Sequence, residues 1–232
     1  MTATLRTAAP RRIRGRTVGH WTPHYIRART RQAIYQRAHP DAPWLTPESI
    51  RLLDSMLQPS DIGAEFGSGR STLWLARRCA HLTSTEHDEA WHARVSGLLI
   101  RQGITHVDYR CHPRDEPDAT GDQSAYAQVA KFLDNESIDF ALVDGLYRDH
   151  VTLFLLPKIR PGGMLVIDNV NRYLPSLTKS PASLRLPTAP ATSAWEQAAA
   201  ALAGWRRIWT SSGVWDTAIF VKVSSSCRKP TG

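Results

Sequence analysis

Residues 62–72 read Ile62-Gly63-Ala64-Glu65-Phe66-Gly67-Ser68-Gly69-Arg70-Ser71-Thr72, a short apolar run that ends in an acid and then turns through two glycines. Glycine lets a backbone approach a ligand without a Cβ clash. Ser71 and Thr72 then open a helix whose free N–H groups face the same side. Glu65 puts a negative charge ahead of the turn, which disfavours a pyrophosphate and suits a cationic ammonium or sulfonium. The main competing ligand for such a turn is a nicotinamide dinucleotide. Its fingerprint wants a third glycine or alanine for helix–strand packing, and here that position is Thr72, with Leu73 next. A phosphate loop needs Gly-Lys-Ser/Thr, which does not occur.

Outward from this stretch, short apolar runs alternate with helix-length segments. The strand candidates are 62–66, 82–86, 106–110, 138–143 and 163–167, and the helices between them are 71–80, 88–101, 123–134 and 148–157. Repeated strand–helix units of this length imply a parallel sheet covered on both faces. Pro161-Gly162-Gly163 reads as a tight turn into the fifth strand. Thr46-Pro47-Glu48 starts a helix, with a hydroxyl cap, a first-turn proline and an acid near the positive dipole end; Pro59 stops it. Residues 22–38 set Tyr25, Ile26, Ile34 and Tyr35 at near-helical spacing, which predicts a helix packed onto the body. The Pro-rich stretch 174–190 reads as a lid or substrate loop. Residues 192–203 form an Ala-rich helix, and 205–210 and 215–223 two strands joined around Ser212-Gly213. The expected organisation is a basic flexible arm (1–20), a helical extension (21–58), a main domain (59–224) and a flexible tail (225–232).

Four of the apolar runs end in polar residues: Glu65, Glu86, Asp144 and Asp168-Asn169. Parallel strands point the same way, so these residues gather along one edge, where open α/β sheets bind their ligands. Glu86 stands 17 residues after Gly69, placed to accept hydrogen bonds from ribose hydroxyls.

The segments EFGSGRSTLWLA, STEHDEAW, FALVDG and LPKIRPGGMLVIDN resemble, in this order, those of a class I S-adenosylmethionine-dependent methyltransferase. The resemblance covers roughly residues 44–223. It implies an α/β, Rossmann-like, doubly wound sheet of seven strands in the order 3-2-1-4-5-7-6, the seventh antiparallel, with helices on both faces. It also implies a cofactor site. Glu65 would face the methionine end of S-adenosylmethionine, and Gly67, Ser68, Gly69, Ser71 and Thr72 would form the turn and helix start beside it. Glu86 would hold the ribose, the adenine would lie near His87 and Cys111-His112, and Asp144 would border the cofactor.

Asp144 and Asp168-Asn169 should end neighbouring strands, about 4.8 Å apart. Two carboxylates and an amide oxygen that close form a hard-oxygen set suited to Mg²⁺. The set is similar to that of the catechol and caffeoyl-CoA O-methyltransferases, which implies a Mg²⁺ ion holding a substrate hydroxyl and lowering its pKa. Those enzymes carry a lysine three residues after the first metal aspartate. Here Tyr147 stands there, followed by Arg148 and His150, so Asp144, Tyr147 and His150 are the candidate catalytic groups. Asn171, Arg172 and Tyr173 are candidate substrate contacts, Arg172 suiting a phosphate or carboxylate.

The 232 residues suit one α/β domain with extensions. No apolar run approaches the ~20 residues of a membrane span, and no secretory core follows the basic N-terminus. Three widely spaced cysteines form neither a disulfide framework nor a zinc spacing, which fits a cytoplasmic setting. The net charge of +8 is uneven: residues 1–40 hold nine arginines and no acid, and 29 less those nine leaves 20 basic against 21 acidic residues elsewhere. Such an arm is a solvated tail or a contact for nucleic acid, anionic lipid or an acidic substrate. Trp74, Trp91, Trp205, Trp209 and Trp215 read as core aromatics. The expected activity is methyl transfer to a small-molecule or glycan acceptor, most simply at oxygen. The alternatives are an RNA methyltransferase that uses the arginine arm and a non-catalytic cofactor-binding protein.

Overall fold

At the centre of the sheet lies Ile62–Phe66 (β1), flanked by His81–Glu86 (β2) and Ile138–Val143 (β4). Beyond β2 comes Val107–Cys111 (β3). Beyond β4 come Ile159–Asp168 (β5), Asp216–Val221 (β7) and, at the edge, Arg206–Ser211 (β6). The order is 3-2-1-4-5-7-6. The first five strands are parallel, and β7 runs antiparallel to both neighbours. This is the Rossmann-like, doubly wound topology that the sequence implies. The computed structural model describes residues 12–13, 16–17, 21–114 and 121–224. The arm expected over 1–20 and the tail over 225–232 lie outside the described residues, apart from Arg12–Ile13 and Arg16–Thr17, which pair antiparallel.

The period of two along each strand divides the core. Ala64 and Phe66 of β1, Ala141 and Val143 of β4, Leu165 and Ile167 of β5, and Ala218 and Phe220 of β7 face one side. There they meet Ala125–Phe132 (α5), Arg148–Leu155 (α6) and Ser193–Leu202 (α7), with Trp195 and Tyr126 as the largest side chains. The alternate residues Phe140, Leu142, Val166 and Ile219 meet Pro47–Met56 (α2) and Arg70–Ala76 (α3) on the other side. Glu89–Arg101 (α4) packs on α3 through Val95 and Leu99. Burial on both faces is why the inner strands read as continuous apolar runs.

Two local features differ from expectation. Strand β5 starts at Ile159 rather than 163. Its pairing with β4 jumps from Ile138↔Ile159 to Phe140↔Met164, and Gly162 (φ +85°) absorbs the surplus residues. Helix Pro23–Ala38 (α1) forms as predicted, capped by the Thr22 hydroxyl, but it docks by another face. Ile26 and Ile34 are exposed, and the buried positions are Ala28 and Gln32. Of the predicted set, Tyr35 is half-buried and packs against the core on the α2 side, and Ala28 and Gln32 make the rest of the contact. No helix among the described residues is long and apolar enough to cross a membrane.

Gly63 pairs with Phe140 across β1 and β4, and the Phe140 ring lies where a side chain at 63 would stand. Gly63→Ala should cost about 1–3 kcal/mol by overpacking. Gly63→Ala with Phe140→Leu should recover part of that loss, so that urea unfolding of the two single variants and the double shows non-additivity.

Candidate active site

The turn after β1 is held by the acid before it. Glu65 is fully buried, and its Oε2 accepts the hydroxyls of Thr72 and Ser84, each at 2.6 Å. Thr72 in turn accepts the Gly69 N–H at 2.9 Å, so one carboxylate ties the turn, the start of α3 and strand β2 together. Oε1 has no hydrogen-bond partner. Burial pushes this carboxyl up to about 7, against the hydroxyls of Ser71, Ser84 and Thr72, which favour its charged form.

Gly67 has φ +99°, and a Cβ there would lie 2.5 Å from the Gly145 nitrogen. The exit of β4 fills the space beside Gly67. The room lies at Gly69 instead, where a Cβ would meet only the Trp91 ring at 3.8 Å. Glu86 ends β2 nearly buried and gathers four donors. Oε2 takes the Ser68 N–H (3.0 Å) and hydroxyl (2.8 Å), and Oε1 takes the N–H groups of His87 (2.7 Å) and Asp88 (3.0 Å). Tyr109 and Trp91 brace Ser68, through its hydroxyl at 2.6 Å and its carbonyl at 2.9 Å. The His87 ring stands edge-on to Tyr126. A ribose hydroxyl can replace the Ser68 hydroxyl on Glu86 like for like, and the unpartnered Glu65 Oε1 suits a cationic group. The donor set therefore fits an aminoacyl nucleoside such as S-adenosylmethionine.

The ends of β4 and β5 correct the metal expectation. Arg148, the first residue of α6, donates from Nη2 to the Asp144 carbonyl (2.7 Å) and Oδ1 (2.8 Å). It also donates from Nη1 to the Asp168 carbonyl (2.5 Å) and from Nε to the Gly145 carbonyl (3.0 Å). Asp168 is buried, its Oδ1 accepting the Thr217 hydroxyl at 2.6 Å and its Oδ2 the Asn169 amide at 2.5 Å. Asn169 thus spends its amide N–H on the neighbouring Asp168 carboxylate. The residues Asp144, Asp168 and Asn169 do not fit Mg²⁺ as the sequence suggested. Among the described residues no group of three or more His, Cys, Asp or Glu gathers for a metal either. Burial, then the neighbouring Asp144 charge, holds the Asp168 carboxyl well above the usual range. Burial also raises Asp144, with Arg148 opposing.

The remaining expected site residues separate. Tyr147 (φ +45°) and His150 pack against Gly121 in the loop before α5, and His150 lies 3.2 Å from Asp149. Asn171 is fully buried, donating to Pro181 and Ser183 and accepting the Asp216 N–H at 3.1 Å. It locks the Pro-rich loop to β7 and has no face for a substrate. Tyr173 stacks on Trp195 at 5.1 Å, and Arg172 is exposed.

Asp144, Asp168 and Asn169 instead floor a cavity of about 320 Å³, with Arg29 and Gln36 of α1 and the indoles of Trp44 and Trp215 around it. Trp215, expected in the core, lines this cavity. A second cavity of about 460 Å³ lies along α1, where Arg27, Arg31 and Lys179 converge near Ser211 and Ser212. The sequence reading missed Arg148, although its i, i+4 spacing from Asp144 was visible. Nothing local marked Trp44, Arg29 or Gln36.

Residues 64–170 match the methyltransferase domain family. No curated protein matches. Among solved structures, a candidate caffeoyl-CoA O-methyltransferase from Staphylococcus aureus superposes with TM-score 0.53 at 12% identity, over 88% of this chain and 94% of that one. A candidate methyltransferase from Streptococcus mutans, solved with S-adenosylhomocysteine, gives 0.51 at 10% over 78% and 99%. An rRNA methylase from Streptococcus thermophilus gives 0.50 at 14% over 79% and 100%. At these identities the likeness is one of fold.

The Glu65 carboxyl at about 7 makes a signed prediction. In the unfolded chain it ionises near its ordinary value and in the fold only later, so its contribution falls as pH rises from about 4.5 to 7. Glu65→Gln should match the parent at pH 4 and exceed it by about 1–3 kcal/mol at pH 8, read by urea unfolding of the ligand-free protein.

Proposed function

We propose that this chain, whose residues 64–170 match a methyltransferase domain family, is a class I S-adenosylmethionine-dependent methyltransferase that methylates a hydroxyl of a small-molecule or glycan acceptor seated under α1. The observation that carries this reading is the cavity over the ends of β4 and β5. Its roughly 320 Å³ suits one ring-sized group and excludes a duplex. Trp44 and Trp215 offer apolar faces to such a ring, while Arg29, Gln36 and Asp144 offer polar partners for its hydroxyls.

When bound, S-adenosylmethionine supplies a methyl group already activated on a sulfonium. The chain then has to hold the acceptor oxygen in line and keep water out. Asp144 lies on the cavity floor with Oδ1 held by Arg148, so its other oxygen is placed to take the acceptor's hydroxyl proton. Its raised pKa makes it a better base than an exposed carboxylate. Glu65 and Glu86 hold the two ends of the cofactor. Covering by α1 shields the floor from solvent.

A second reading is favoured by the basic cavity alone: Arg27, Arg31 and Lys179 together suit a phosphate backbone, as in an RNA methyltransferase.

Labelled S-adenosylmethionine offered with pools of phenols, free sugars, oligosaccharides and RNA separates the two. Label in a phenol or sugar pool, insensitive to salt, supports the first reading. Label in RNA that falls steeply between low and moderate salt replaces it with the second. Trp44→Ala should lower kcat/KM for the accepted pool by about tenfold with S-adenosylhomocysteine affinity unchanged. Glu86→Ala should weaken S-adenosylhomocysteine by about 1–3 kcal/mol in calorimetry.

A further inference from the structure

We infer that Arg148 is the resident cation of this sheet edge: its guanidinium spans the ends of β4 and β5 and gives Asp144 the counter-charge that a divalent ion would otherwise supply, and methyl transfer here runs without one. The inference rests on the reading of this edge as the transfer site. The placement of the guanidinium is a matter of geometry.

Two carboxylates at adjacent strand ends need a positive charge between them or one must stay protonated. A hydrated Mg²⁺ supplies that charge through oxygen ligands in a near-octahedral shell. Here one oxygen of such a shell, Asp144 Oδ1, already takes a guanidinium, which also spans the main-chain carbonyls at both strand ends. Arg148 donates four hydrogen bonds of 2.5–3.0 Å, to the carbonyls of Asp144, Gly145 and Asp168 and to Asp144 Oδ1. Only 13% of its side chain is exposed. The arginine fork suits this task, because its donors diverge in one plane towards acceptors on two strands.

The chain around it is shaped to bring it there. Tyr147 takes a left-handed conformation at the start of α6, and Arg148 follows directly, four residues after Asp144. Tyr173 covers the guanidinium from one face at 5.7 Å. The carboxylate of Asp168 is closed by Thr217 and Asn169. A metal ion on Asp144 would have to compete with the guanidinium for Oδ1 and then sit beside its charge.

Mn²⁺ titrations followed by electron paramagnetic resonance, with and without S-adenosylhomocysteine, test this on the full chain. The parent should show no saturable binding up to about 1 mM Mn²⁺. Arg148→Met removes the charge and keeps the stem; it should gain a Mn²⁺ site about tenfold or more tighter than anything in the parent. Arg148→Lys, which keeps the charge, should gain none. Saturable micromolar Mn²⁺ binding by the parent, lost in Asp168→Asn, overturns the inference. So does a folded Arg148→Met with no gain. Should Arg148→Met fail to fold, the parent and Asp168→Asn titrations decide. Calorimetry with S-adenosylhomocysteine on the same samples is separate: silence there sinks the methyltransferase reading and leaves the Mn²⁺ result standing.

Discussion

Carboxylates crowded along one edge of a parallel sheet repel one another, and each must be answered by a group of the protein itself or of a ligand. Here every one is answered differently. Glu65 is buried against hydroxyls and carries a strongly raised pKa. Glu86 collects four N–H and O–H donors. Asp144 has a guanidinium, and Asp168 a threonine hydroxyl and an amide. These answers divide the edge by chemistry. The side near β1 and β2 is held by neutral donors that a polyhydroxylated, cationic cofactor can replace. The side near β4 and β5 is held by the Arg148 guanidinium.

The same logic links the edge to the elements laid over it. Thr217, which closes Asp168, also accepts the backbone N–H of Thr46 at 3.2 Å. Thr46 caps α2 and bonds Ser49, so the start of α2 is tied to the end of β5 through two hydroxyls. Asn171 ties the Pro-rich loop to β7, and Ser180 reaches Asp216 at 2.6 Å. The cavity over the ends of β4 and β5 therefore has a roof and walls built from segments far apart in the chain: α1, the Trp44 turn, the loop after β5 and the β6–β7 hairpin. Docking α1 by Ala28 and Gln32 leaves its arginines free to line both cavities.

Much of the architecture was legible because its signals are local and repeated. Short apolar runs, helix-length segments between them and the Thr46-Pro47-Glu48 start place the elements to within a few residues. Where the fold departed from its pattern, a non-local contact was responsible. The surplus residues in β5 arise where Gly163 must lie against the Asp139 carbonyl, and α1 leaves Ile26 and Ile34 exposed while Ala28, Gln32 and Tyr35 face the body.

The edge itself was readable as a list: Glu65, Glu86, Asp144 and Asp168 end strands, and strand ends of a parallel sheet must meet. What each acid does there was not, since a carboxylate's role depends on which donor reaches it. Arg148 stands four residues from Asp144 in the chain, yet its grip on Asp168, 20 residues away, exists only once β4 and β5 lie side by side. Trp44, Arg29 and Gln36 come to the cavity from outside the domain that carries the motifs. Residue order determined which groups gather at this edge; packing decided which of them a ligand can still reach, because counter-charge and exclusion of water are properties of neighbours in space.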